Sequence, residues 1–90
     1  MNLASNDTEA LRRKRLLEVN RAVESQDPLT ERTRLEAQLG HVWDTAQLAG
    51  DFEVLGFLAP YVVVRRRSDW RMGSLEFQHS PRFYFNFVPD

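Results

Sequence analysis

Cysteine is absent from the chain, which excludes a disulfide framework and any metal held by thiolates. Lysine is nearly absent: of twelve Lys and Arg residues only Lys14 is Lys. The positive charge is therefore carried by forked guanidinium groups, which suit partly desolvated contacts with carboxylates or phosphates. No apolar run approaches the length of a membrane span, and the N-terminus lacks the charged-then-apolar pattern of a secretory signal. The sequence has four glycines and contains no glycine-rich phosphate loop, nucleophile elbow or paired-carboxylate motif. Only two histidines occur, His41 and His79, with no further cluster to complete three or four metal ligands. His41 and Asp44 have i,i+3 helical spacing, but a structural or surface role suits each histidine better. These absences predict a non-enzymatic protein of the cytoplasm with no cofactor and no metal.

A net charge of −1 also argues against a dedicated nucleic-acid binder, because phosphate neutralisation drives affinity in that class. Two basic clusters stand out locally, Arg12-Arg13-Lys14-Arg15 and Arg65-Arg66-Arg67. The first reads as the solvated side of a helix.

With 42% hydrophobic residues, including two Trp, two Tyr and six Phe, ninety residues suffice for one small domain over 1–90. Residues 1–6 are expected to be frayed, residues 7–50 to form a helical half and residues 51–90 a β-hairpin half. Asp7 or Thr8 can cap a first helix that runs to about Ser25, with Leu16, Val19 and Val23 as its apolar stripe and Arg12 and Arg15 interrupting it. Asp27-Pro28 supplies an N-cap and a first-turn proline for a second helix reaching about Val42 through Leu35 and Leu39. The short connection predicts an antiparallel helix pair. Asp44-x-x-Gln47 has the pattern of a capping box opening a short helical turn that Gly50 closes, and Trp43 is placed to anchor helices to sheet.

After Gly50 the pattern becomes strand-like. Phe52–Arg67 and Ser74–Val88 are β-branched and aromatic, and they flank a polar turn over residues 68–73. The predicted fold is therefore α+β, with the helix pair and short turn followed by one long bent antiparallel β-hairpin packed on the helices. A three- or four-strand meander with a corner at Pro81 is the alternative. Pairing Arg67 with Ser74 sets Arg65 opposite Glu76, Val64 opposite Phe77 and Pro60 opposite Pro81, which implies a shared bend. In this register Val62, Val64, Leu75 and Phe77 seat the helices, while Tyr61, Val63, Arg65, Arg67, Glu76 and Gln78 are solvated. Below the prolines Phe83, Phe85 and Phe87 share a face with Val54 and Leu58, and Leu55, Phe57, Tyr84 and Val88 share the other. Apolar residues on both faces predict a homodimer or another protein partner.

The hairpin tip is the most function-like feature. Arg65, Arg66, Arg67, Trp70 and Arg71 form a candidate partner-binding surface, since Trp and Arg dominate interface hot spots, and an acidic protein surface would complement it. Positive charge at the tip also guards a β edge against aggregation. The second functional reading is an RNA or single-stranded nucleic-acid binder in which Arg65, Arg67 and Arg82 meet phosphates and bases stack on Tyr61 and Tyr84. Period-two aromatics are more simply core, which ranks this reading lower.

Overall fold

A computed structural model describes residues 4–90. They form α1 (Ala4–Arg21), α2 (Pro28–Leu39), β1 (Val42–Trp43), α3 (Thr45–Asp51), β2 (Phe52–Leu58), β3 (Tyr61–Arg66), β4 (Arg71–Gln78) and β5 (Phe83–Pro89). The architecture is α+β, with five antiparallel strands in the order β1-β5-β4-β3-β2. Of the segment expected to be frayed, residues 1–3 lie outside the described residues. The rest opens α1, so Asp7 and Thr8 fall within the helix rather than ahead of it.

Side chains that compete locally for backbone groups set the other helix boundaries. Asp27 caps α2 by accepting from the Thr30 N–H, and Pro28 occupies the first turn. Gly40 ends the helix at φ 86°, short of the expected Val42, and Val42 and Trp43 pair instead with Phe85 and Tyr84. Asp44 and Gln47 form the full capping box of α3. Gly50 does not close that helix; it lies within it, one residue before the end.

The expected long hairpin gives way to its alternative, a four-strand meander with a corner at Pro81, and β1 is added to its far side. The chain reverses at Ala59-Pro60, at residues 67–70 and at residues 79–82, so the two prolines mark separate turns. The ladder between β3 and β4 pairs Val64 with Gly73 and Tyr61 with Glu76. This differs from the expected pairing by four residues, an even slip that keeps each side chain on its own face.

Two bulges alter the faces elsewhere. Between Ser74 and Glu76 the β4–β5 register shifts around Asn86, which has φ 57°. Phe83 and Phe85 therefore remain together, while Phe87 crosses to the side of Tyr84. In β2 the register shifts at Leu55, which sets Val54 opposite Val64 and Phe57 opposite Val62 but leaves Leu58 beside Tyr61 on the other side.

The inner face carries Val62, Val64, Leu75, Phe77 and Tyr84, all buried. It is covered by α3 through Leu48, and by Trp43 and Phe52 arriving from opposite edges of the sheet. Those two rings meet edge-on at 5.3 Å, so the sheet curls around this core. The expectation that the helix pair sits here is corrected, because α1 and α2 lie on the outer face. There Val19, Leu35, Val42, Phe83 and Phe85 form a second core. Glu76 and Gln78, expected to be solvated, are covered by the helices and partnered by them. Arg15 Nη2 donates to Glu76 Oε1 at 2.8 Å, and Gln78 Nε2 donates to the buried Glu31 at 3.1 Å.

The Arg15 guanidinium holds the Glu76 carboxyl below its ordinary value of 4.5, against burial and with help from Asn86. For Glu31 burial pushes upward, and hydrogen bonds from Arg34, Gln78 and the Glu24 N–H overcome it, leaving that carboxyl lowered too. Both groups bind protons less readily folded than unfolded. Their contribution is complete above the unfolded value and lost as pH falls through the folded one. Unfolding midpoints in denaturant should be flat near neutrality and fall below about pH 4.5. An Arg15→Gln variant, lacking the guanidinium on Glu76, should lose less on acidification than the parent.

Candidate interaction surface

The turn between β3 and β4 is closed by the Trp70 N–H donating to the Arg66 carbonyl at 2.7 Å. Trp70 completes it at φ 58°, a left-handed conformation that costs a bulky residue on the order of 1–3 kcal/mol. Asp69 organises the loop: it accepts from Arg66 Nε and Nη2 at 3.0 and 2.7 Å and from the Arg71 N–H at 3.1 Å. The Arg66 guanidinium, with a smaller contribution from Arg71, lowers the Asp69 carboxyl to about 2.

Most of the arginines expected to form a free basic tip have partners within the chain. Arg65 pairs with Glu53 at 3.1 Å and lies 5.8 Å from the Trp70 ring. Arg66 is held by Asp69 and stacks 5.0 Å over Phe87. Arg71 donates to the Asp90 carbonyl. Arg67 donates from Nε to the Ala49 carbonyl at 3.1 Å and has no ion pair among the described residues. The structure thus gathers Arg65, Arg66, Arg67, Trp70 and Arg71 at one end of the sheet while distributing them over both faces.

The residues of the nucleic-acid reading do not converge. Tyr84 is 2% exposed in the inner core and has no ring face free for a base. Tyr61 stands four residues from Arg65 along β3, roughly 13 Å at strand spacing. Arg82 lies at the same far end, with its guanidinium 4.8 Å over Phe77 and within 3.3 Å of the Tyr84 hydroxyl.

What the tip does border is a bare part of the outer face. Ladder partners share a face, so Gly56, Val63, Ser74 and Val88 form one row, Glu53, Arg65 and Met72 the next, and Leu58 and Tyr61 flank them. The helices reach only the end of this face nearer Glu76 and Gln78. Trp70 is 59% exposed, Val88 60% and Leu58 55%, with Val63 and Met72 each at 38%. Along the sheet edge β2 adds Val54, Leu55 and Phe57, all exposed. Its outer backbone has no strand partner among the described residues. The signal for this surface was present in the sequence as apolar residues on both faces of Phe52–Leu58.

Behind the tip, on the inner side, lies a cleft of about 640 Å³ between the end of α3 and the β3–β4 turn. The sequence did not single it out. Trp43, Phe52 and Phe87 supply apolar wall, and the His41 ring stacks on Trp43 at 3.8 Å. His41 thus has an aromatic neighbour rather than the Asp44 contact its spacing allowed. Among the described residues, no group of His, Asp and Glu side chains could hold a metal ion, and no helix is long and apolar enough to cross a membrane.

Comparison with protein-family models, with curated proteins and with solved structures gives no match, so function rests on this chain's own residues.

Proposed function

We propose that this protein is a small non-enzymatic protein-binding module that self-associates, with the bare outer face from edge strand β2 to the hairpin tip as its contact surface. One observation carries the proposal: Leu58, Val63, Met72, Val88 and Trp70 are exposed together on a sheet face whose adjoining edge is unpaired. Exposed apolar surface beside an open β edge is the usual mark of an interaction site. A second copy suits it better than an acidic partner, because Glu53 already neutralises Arg65 and Asp69 already neutralises Arg66. The edge is also self-complementary. A two-fold axis near Leu55 and Gly56 sets the Glu53 of one copy against Phe57 or Leu58 of the other, and no like charges oppose. The strained Trp70 supports the same reading, since conformational cost retained at an exposed aromatic marks a functional constraint.

Sedimentation velocity over a dilution series tests this. The parent chain should shift from dimer to monomer on dilution. Leu58→Glu should weaken the dimer by more than about 30-fold, the effect of losing one hot spot. Trp70→Gly should weaken association while raising the unfolding midpoint, because glycine adopts the turn conformation freely. A parent that stays monomeric at every concentration, or a dimer indifferent to Leu58→Glu, would sink the proposal.

A further inference from the structure

The inner cleft has a charge arrangement that its own fold does not use. Asp51 and Arg67 are backbone neighbours, with the Arg67 N–H donating to the Asp51 carbonyl at 2.9 Å. Their side chains nevertheless form no ion pair with each other; each is turned to a different group. The Asp51 carboxylate accepts the Trp43 indole N–H on Oδ2 at 2.8 Å, and its Oδ1 accepts from no described residue. The Arg67 guanidinium spends Nε on the Ala49 carbonyl at 3.1 Å, and its two terminal nitrogens donate to no described residue. One carboxylate oxygen and two guanidinium nitrogens are thus left free at a cleft walled by Trp43, Phe52 and Phe87. The other cation present, Arg66, is neutralised by Asp69.

We propose that this cleft binds a small aromatic zwitterion, the chemistry of a free aromatic α-amino acid. A ligand carboxylate would take the forked ends of Arg67, a ligand ammonium would meet Asp51, and the ring would lie against the exposed His41 ring, which covers the buried Trp43, and the half-buried Phe87. A purely anionic ligand leaves Asp51 facing a like charge, and a purely cationic one leaves Arg67 doing so. Only a molecule carrying both charges beside an apolar ring satisfies all three elements of the site. The volume falls within the range of small-molecule sites and leaves room around such a ligand. Arg67 and the neighbouring Ser68 line the cleft from the same turn that presents Trp70 on the opposite face.

The test is a ¹H–¹⁵N NMR titration of the whole chain with L-phenylalanine, phenylacetate and phenethylamine as three separate probes. L-phenylalanine should give saturable shifts at the Trp43 indole N–H and at the Gly50, Asp51 and Arg67 amides, with Kd on the order of 1 mM or tighter. Phenylacetate, lacking the ammonium, and phenethylamine, lacking the carboxylate, should each bind about tenfold more weakly. Asp51→Asn keeps an acceptor for Trp43 and should make L-phenylalanine and phenylacetate equivalent. Arg67→Gln should make L-phenylalanine and phenethylamine equivalent. No saturable shift with L-phenylalanine, or either single-charge probe matching it on the parent chain, overturns the proposal. The comparison on the parent chain decides the matter even if a variant fails to fold.

Discussion

Replacing Glu31 with alanine is expected to remove about 3–5 kcal/mol of stability, as breaking a buried ion pair usually does. The side chain is 0% exposed and gathers three elements around one carboxylate. Arg34 donates to it from Nε and Nη2 at 2.9 and 2.7 Å, Gln78 donates from β4 at 3.1 Å, and the Glu24 and Ser25 N–H groups donate from the α1–α2 connection at 3.3 Å. Alanine leaves those donors facing a cavity, with the Arg34 charge uncompensated on that side. The remaining ion pair of Arg34, with the largely exposed Glu24 at 3.1 Å, is too solvated to replace it, and the Gln38 and Ala22 oxygens that Arg34 also reaches carry no full charge. For a domain of this size the loss corresponds to a melting temperature lower by roughly 15–30 °C. Glu31→Gln, which keeps shape and an acceptor oxygen, should fall between parent and alanine. A calorimetric loss below about 1 kcal/mol for Glu31→Ala would show that the network relaxes around the gap.

Gly73→Ala is the second large effect, and its cause is steric. A Cβ at this position would stand 2.6 Å from Phe87 Cε1 and 2.6 Å from the Val88 carbonyl oxygen. The ring can rotate away, but the carbonyl belongs to the β4–β5 ladder and cannot move without opening it. A loss of about 3 kcal/mol in chemical denaturation is expected, at the upper end of ordinary overpacking. Adding Phe87→Leu should recover part of that loss and no more, since the backbone contact remains. Full recovery would assign the whole effect to the ring. Either way, moving Phe87 should disturb the inner cleft it lines.

The legible parts of this fold were those decided within a few residues. The Asp27-Pro28 start and the Asp44–Gln47 box are local hydrogen-bond competitions, and both formed as their spacing predicts. The strand-rich second half was also legible, whereas its register was not. The sequence fits Pro60 and Pro81 to a common bend or to a strand corner alike, because a residue without an N–H ends a ladder as readily as it bends one. The even slip between β3 and β4 then preserved the faces while hiding the extra strands. The Asn86 and Leu55 bulges cannot be read from period-two patterning, because each inverts the pattern it interrupts.

The face on which the helices sit is hidden in the sequence for a physical reason. Glu76 and Gln78 looked solvated because they are polar, but α1 and α2 bring polar partners of their own. Arg12 and Arg15 were visible as interruptions of an apolar stripe. Arg12 donates to the Ala59 carbonyl and Arg15 to Glu76, so the interruptions were the docking contacts. Of the interaction surface, the exposed apolar edge was legible, whereas the pairing of the tip arginines was not. Glu53 reaches Arg65 only through the β2–β3 ladder, which the long hairpin did not contain.

The two borders of the sheet are unequal, and this sets how far an assembly can grow. β1 is two residues long and the Val42 carbonyl takes a hydrogen bond from Arg32, whereas β2 runs for seven residues with its outer side open. In the proposed dimer, a copy joined to another through β2 would use up the longest open border among the described residues. What remains at each end of the joined sheet is the two-residue β1 and the stretch of β5 beyond it, a short border broken by the Asn86 bulge and by Pro89 that templates further addition poorly. Under the proposed self-association, edge pairing of this kind would terminate at a pair instead of extending into a fibre, which would let the chain keep an adhesive margin without becoming a polymer.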